Sequence, residues 1–345
     1  MFNLSNATIH QVSAHVVGNP VDGGLLKLSE NPLELNDEKL EGLLKTYFLS
    51  SFAVPEYYSF TSPNEDFALN PIYQFAKEAF DDQESFHENS VNVAKQLYAS
   101  TKHPNIKSGE LYVAFLQNIE LDGTTVNALG IFKAENKENY LRLSRQFNLH
   151  ADEGINIKRL DKGCLILNTG PDEGFKVLIV DNTNKSDAQF WKQDFLNIKP
   201  WSDSFHHTNN FMQITQQYVS EQLGDDFSVS KADKIDLLNR SMDFFKSRDE
   251  FSKSEFEVNV LGDADVIESF RKYGKNAMAG KDFDVIDNFE ISAQAVKRQA
   301  RVFKSVLKLD KNFHVYIHGD RELIEKGFDE AMGKNYYKLY FNSES

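Results

Sequence analysis

The stretch Leu111–Lys133, LYVAFLQNIELDGTTVNALGIFK, constrains the fold more than any other. Val113, Phe115 and Gln117 alternate with Ala114 and Leu116 ahead of Asp122-Gly123, and a second apolar run follows from Val126 to Phe132. An Asp-Gly pair reaches positive φ at little cost, so it closes a two-residue hairpin whose twist suits both flanking strands. Apolar residues fall on both faces of the two strands. They therefore read as central strands covered on each side rather than as a half-wet edge pair.

A second pair lies downstream: Gly163–Leu167, the turn Thr169–Gly174, and Lys176–Val180. Ahead of both, Thr8–Val17 reads as an opening strand, and Leu25–Leu28 as a short return strand after the breakers Gly18-Asn19-Pro20 and Asp22-Gly23-Gly24. Asn36 followed by Asp37 and Glu38 predicts a helix cap, with a helix running to about Phe52. Pro55–Phe60 reads as loop or short strand. Asn70-Pro71 opens a second helix, and a third runs from about Glu84 to Thr101 until His103-Pro104 stops it. The acidic and polar segment Ala134–Gly154 reads as a link between the two hairpins.

After the polar run Asp181–Ser186 the texture becomes helical. Phe190–Leu196 begins this region, followed by Trp201–Leu223 and by Ser230–Lys246, where Ser230 and Asp233 form a capping-box pair. Ser252-x-x-Glu255 starts another helix, and Asp263–Tyr273 closes the set. The chain then returns to strands at Phe303–Leu309, Phe313–Ile317 and Tyr336–Phe341. The expectation is an α+β fold with an N-terminal antiparallel sheet flanked by helices (1–185), a helical region (186–285) and a small β-rich C-terminal unit (286–345).

A chain of 345 residues with 41% hydrophobic content can bury more than one core. No apolar run approaches the ~20 residues of a membrane span. The opening MFNLSNATIHQV lacks the basic and long apolar regions of a secretory signal, and a single cysteine, Cys164, forms no internal disulfide framework. Together these predict a cytoplasmic protein. The formal net charge of −14, from 38 Lys+Arg against 52 Asp+Glu, argues against a protein that coats DNA by bulk positive charge.

No Walker A loop, G-x-G-x-x-G, G-x-S-x-G, H-E-x-x-H or EF-hand loop occurs in the sequence. That leaves no familiar catalytic or cofactor motif, and the expectation is no enzyme, no cofactor and no metal. His206-His207 is the most metal-like pair, but neighbours on a helix point about 100° apart and no ligand stands at the right spacing. His314 and His318 share the exposed face of a strand with Tyr316. His10 and His15 fall on opposite faces of a regular strand. Cys164, inside an apolar run, reads as a buried structural thiol.

Charge distribution says more. Between Arg271 and Lys281 stand Arg271, Lys272, Lys275 and Lys281 with no acid, and between Ile291 and Leu309 stand Lys297, Arg298, Arg301, Lys304 and Lys308, again with no acid. Lys297, Arg301, Lys304 and Lys308 share one face if the region stays helical. Such a reversal of sign in an acidic chain reads as a phosphate-contacting surface, or as a solvated face offsetting acidic helices nearby.

Several stretches also resemble the nucleoid-associated proteins of NdpA type: LSNATIHQV, the Leu111–Lys133 pair, INIKRLDKGCLILN, FWKQDFLNIKPW, KADKIDLLNRSMDFFK and FKSVLKLDKNFHVYIHGDRELIEKG, in that order. The resemblance implies a bacterial nucleoid protein that binds double-stranded DNA with low sequence specificity and without turnover. It brings no catalytic residue with it. The acidic charge suggests a second reading, an adaptor that joins the nucleoid through another DNA-bound or DNA-processing protein. A homodimer is also expected, because Phe205, Phe211, Tyr218, Phe244 and Phe245 crowd a short helical span.

Overall fold

The computed structural model describes residues 2–52, 56–183, 189–278, 286–300, 302–303, 306–317 and 321–343. By contacts the chain divides into two compact units, residues 1–201 and 202–345. The fold is α+β, with an antiparallel N-terminal sheet, a helical middle and small β units toward the C-terminus.

The first unit is built on a nine-stranded antiparallel sheet. Its strands are β1 (Phe2–Asn3), β2 (Thr8–Val17), β3 (Leu26–Lys27), β4 (Tyr57–Phe60), β5 (Gly109–Leu121) and β6 (Thr124–Ala134). After a separate hairpin, β7 (Glu138–Leu143) and β8 (Leu149–Gly154), come β9 (Lys162–Leu167), β10 (Lys176–Asp181) and β11 (Ile198–Pro200). The order across the sheet is β11-β4-β10-β9-β6-β5-β2-β3, with β1 also paired to β5. Asp122 and Gly123 take φ of 49° and 84°, the paired left-handed turn that the sequence predicts, with Leu121 opposite Thr124.

Three helices cover this sheet. In α1 (Glu38–Leu49) the cap is Asp37, whose carboxylate accepts from Lys39 N at 2.8 Å, so the helix begins one residue later than an Asn36 cap would start it. In α2 (Pro71–Asp81) the predicted cap holds: Asn70 Oδ1 accepts from Ile72 N and Tyr73 N. Helix α3 spans Phe86–Ser100. Leu111, Val113, Phe115, Leu129, Ile131 and Ile166 face α2 and α3 in one core cluster. Ala114, Leu116, Phe132, Leu165 and Leu167 face α1 in another, on the opposite side of the same strands. Burying one such large side chain contributes ~1.5–3 kcal/mol, so two-sided coverage explains the continuous apolar runs.

Two bulges shift the alternation. In β5 the register jumps between Leu116 and Ile119, with Asn118 at φ 61°, so Leu116 and Ile119 share a face. In β2 it jumps between Ile9 and Gln11, and the extra residue is His10. The strand is therefore not regular. His10 packs edge-on to Phe115 while His15 meets α3 through Ser90, which puts both imidazoles on the α2/α3 side rather than on opposite faces.

Ala134–Gly154 is no simple link. It forms a two-stranded arm, β7–β8, paired from Glu138 with Gly154 to Leu143 with Leu149. Its side chains are almost all exposed. Phe190–Leu196, read from the sequence as the start of the helical region, is a π-helical turn whose Phe190, Trp191, Phe195 and Leu196 lie in the first unit's core.

The second unit holds α4 (Ser204–Gln217), α5 (Lys231–Lys246), α6 (Ala264–Met278) and α7 (Ala293–Gln299). The capping box of α5 forms as predicted, with Ser230 Oγ accepting from Asp233 N at 3.2 Å and Asp233 Oδ2 accepting from Ser230 N at 2.8 Å. Phe211, Tyr218, Phe244, Phe245, Phe251, Phe256 and Phe270 form an aromatic core, in which Phe245 and Phe251 stack at 5.4 Å. Phe205 is buried as well. The rings on which the homodimer expectation rests are thus buried within the chain. The strand pairs are β12 (Glu250–Ser252) with β13 (Asn288–Glu290), β14 (Val306–Leu309) with β15 (Phe313–Tyr316), and β16 (Ile324–Asp329) with β17 (Lys334–Leu339). Ala232 and Ile235 of α5 pack with Leu307, Ile317 and Ile324 in a small separate core.

Candidate nucleic-acid interface

Helix α7 is held by one side. Ser292 N donates to Thr208 Oγ1 at 3.0 Å, Gln299 Nε2 donates to Asn209 Oδ1 at 2.7 Å, and Ala295 and Val296 are buried. Lys297 and Arg298 are left exposed in the last turn. There they complement the carbonyl end of the helix dipole, a structural use that stands beside any phosphate contact. The Arg298 guanidinium also lies 5.8 Å from the ring centroid of Phe205.

The helix stops at Gln299, and Lys308 is on strand β14, so the single helical face proposed for Lys297, Arg301, Lys304 and Lys308 does not exist. Arg301, Lys304, Lys281 and His318 lie outside the described residues. Lys308 stands opposite His314 on β15 and is exposed, as are His314 and Tyr316. Helix α5 packs against both α7 and β14, so Lys297, Arg298 and Lys308 sit on elements docked to one helix.

The bases of α6 are differently placed. Arg271 Nε and Nη2 donate to Glu257 Oε1 and Oε2 at 2.8 and 2.6 Å, a two-point bond to a carboxylate whose side chain is only 5% exposed. Lys272 lines a cleft of about 360 Å³ together with Asp226, Asp265 and Glu268. Hydrogen bonds from Ser269 and Gln222, and then the Lys272 charge, hold Asp226 below the usual carboxylate range. Lys272 and Lys275 are both exposed, and of the three only Arg271 is bonded to an acid; Lys272 meets Asp226 through charge alone. Structure thus separates what sequence groups together: α7 and β14 present bases outward, whereas Arg271 and Lys272 answer acids of their own unit.

Besides Asn89–Gly109, which carries Lys95, Lys102 and Lys107, a further acid-free run escapes a search for dense basic clusters. From Asn139 to Ala151 the chain carries Arg142, Arg145 and His150 and no acid, and the fold puts all three on the arm. Only the absence of acids in so acidic a chain could have flagged it.

The other candidate groups have structural roles. Asn210 Nδ2 lies 2.7 Å from His206 Nε2, and His207 Nε2 lies 3.2 Å from Ser202 Oγ, so the two imidazoles turn to different partners. No group of three His, Cys, Asp or Glu suited to a metal occurs among the described residues. Cys164 is fully buried, and burial pushes its thiol pKa up. Ser13 Oγ lies 2.8 Å from His87 Nδ1 and His15 Nε2 lies 3.1 Å from Ser90 Oγ, contacts that resemble a nucleophile and its base. Both hydroxyls are fully buried, however, and the contacts fasten α3 to β2.

No helix among the described residues is long and apolar enough to cross a membrane. The family described as nucleoid-associated protein YejK matches residues 9–336, nearly the whole chain. No curated protein matches it.

Proposed function

From the premise that the chain belongs to the YejK family of nucleoid-associated proteins, we propose that it binds double-stranded DNA directly, without catalysis and with low sequence specificity. The observation that carries this reading is the reversal of charge on the second unit, where Lys297, Arg298 and Lys308 are exposed in a run free of acid. Arg301 and Lys304 belong to the same run. Lys275 is a secondary contact, and Arg271 and Lys272 contribute less because Glu257 and Asp226 already answer them. Phosphate contacts of this kind fix position on a duplex and carry no base information. An overall charge of −14 confines the contact to such patches and keeps the acidic remainder turned away.

The same charge favours a second reading, in which the protein is an adaptor held at the nucleoid by another DNA-bound protein. Duplex binding across a salt series separates the two. Direct contact predicts affinity that falls steeply with salt, because each phosphate neutralised releases counterions. Changing Lys297, Arg298 and Lys308 together to Glu then weakens binding to unrelated duplexes by similar factors and flattens the salt slope, with circular dichroism unchanged. Wild-type affinity in that folded variant would remove the patch. No wild-type binding at low salt would leave the adaptor.

A further inference from the structure

The arm β7–β8 is a strand pair that the first unit's main sheet does not extend. A lone two-stranded ribbon is marginal in water, and this one gains little from its surroundings. Its base is fixed: Lys137 Nζ lies 2.7 Å from Glu110 Oε1, and Asn156 Nδ2 donates to Glu138 at 3.0 Å. Beyond the base the ribbon has two unlike faces. Tyr140, Arg142, His150 and Asp152 lie on one, and Leu141, Leu143, Leu149 and Ala151 on the other.

The tip is the unusual part. Ser144 N donates to Asn148 O at 2.9 Å and Phe147 N donates to Ser144 O at 3.0 Å, which closes a three-residue loop, Arg145-Gln146-Phe147. Such a loop ends on a left-handed residue, usually glycine. Here that residue is Phe147, at φ 62° and 84% exposed. A bulky L-residue in this region costs ~1–2 kcal/mol, and an aromatic ring held in water gains nothing from burial. Folding alone disfavours Phe147 twice, so contact with something else is the natural use for the ring.

Charge selects the occupant. The outer part of the ribbon, Asn139–Ala151, carries Arg142, Arg145 and His150 without an acid in a chain of −14. The ribbon's own acids, Glu138, Asp152 and Glu153, gather at its base. Asp152 answers Arg142 at 3.0 Å, whereas Arg145, next to the tip, has no ion-pair partner among the described residues. Two strands ~4.8 Å apart, and a reach of ~20 Å for six residues, suit a ribbon entering a DNA groove. Proteins that bend duplexes insert an apolar wedge between base steps while neighbouring cations hold the phosphates.

We infer that the β7–β8 arm is a second DNA-contacting element, with Phe147 as a wedge against a base step and Arg142, Arg145 and His150 on the flanking backbone. This rests on the duplex-binding reading above and adds a contact on the first unit that deforms the DNA. An isolated phosphate patch does not.

The test uses the full chain and a duplex containing 2-aminopurine, whose fluorescence rises when a base is unstacked. Wild type is expected to raise the fluorescence and to bend an end-labelled duplex. Phe147→Ala loses both signals and weakens binding by about tenfold, in keeping with the worth of an aromatic–base contact. Phe147→Trp keeps them, and Arg145→Ala keeps the fluorescence rise but lowers the salt slope by about one. Phe147 is exposed, so these variants fold. If wild type binds but Phe147→Ala matches it in affinity, fluorescence and bend, the arm assignment falls and the duplex-binding reading stands. If Phe147→Ala changes only the mass measured by light scattering, the tip contacts a second copy and the assignment is again overturned. If wild type binds no duplex at low salt, the underlying reading fails first.

Discussion

Lys133 and Lys162 stand directly opposite each other on β6 and β9, and a single carboxylate, Glu135, lies between their ammonium groups at 2.8 and 2.9 Å. All three side chains are at most 2% exposed. Lys133 Nζ also donates to Lys107 O, and Lys162 Nζ to Thr183 Oγ1. Asp161 completes the cluster by accepting from the backbone N–H groups of Glu135 and Asn136. Two like charges so close are tolerable only because Glu135 and these carbonyl and hydroxyl oxygens replace the water that burial removes.

Glu135→Gln therefore leaves two buried ammoniums facing each other. It is expected to lower stability by ~3–5 kcal/mol, the scale for breaking a buried pair by one partner. The midpoint of urea unfolding measures it. A shift equivalent to a surface substitution would show that water reaches the cluster.

Gly130 is expected to resist even a methyl group. A Cβ there would lie 2.5 Å from two atoms of the Phe132 ring. That ring cannot yield, because it stacks on Phe48 at 4.2 Å and lies against Gly163 across the strand pair. Gly130→Ala should cost ~1–3 kcal/mol by overpacking, read as a lower unfolding midpoint with unchanged slope.

Acid should weaken the first unit through His15. Burial, and then the neighbouring His87, lower its pKa from 6.5 to about 4. Ser29 N donates to Nδ1, so the proton sits on Nε2, which donates to Ser90 Oγ; Ser90 Oγ in turn donates to His87 O. The unfolded chain takes up a proton below pH 6.5 and the folded chain does not until about pH 4. Stability from this group is thus complete above pH 6.5, declines as pH falls toward 4, and changes little below that. Urea midpoints over this window should fall in wild type and fall less in His15→Gln. Equal slopes would remove His15 as the cause.

Much of the scaffold was legible because its signals are local. Asp122-Gly123 needs only the φ preferences of two residues, Asn70-Pro71 only a cap and a fixed ring, and Ser230 with Asp233 only a three-residue spacing. The bulges were harder. Gln117-Asn118 interrupts the β5 pattern for a reason visible only when Leu116 and Ile119 are seen on one face. The arm was missed because its alternation, Leu141 and Leu143 against Tyr140 and Arg142, looks like any polar link until the pairing partner is known. In the basic run, the end of a helix at Gln299 could not be inferred from charge spacing. Which bases answer acids, as Arg271 answers Glu257, depends on residues distant in sequence.

The sheet's two end strands have a consequence for life at high density. β3 is two residues long and β11 is three, one of them Pro200, which has no N–H to offer. Neither presents a row of free backbone groups long enough to recruit a neighbour's strand. Molecules held close together meet one another at concentrations far above their average in solution. The ends of the sheet at β3 and β11 give such neighbours no strand to extend.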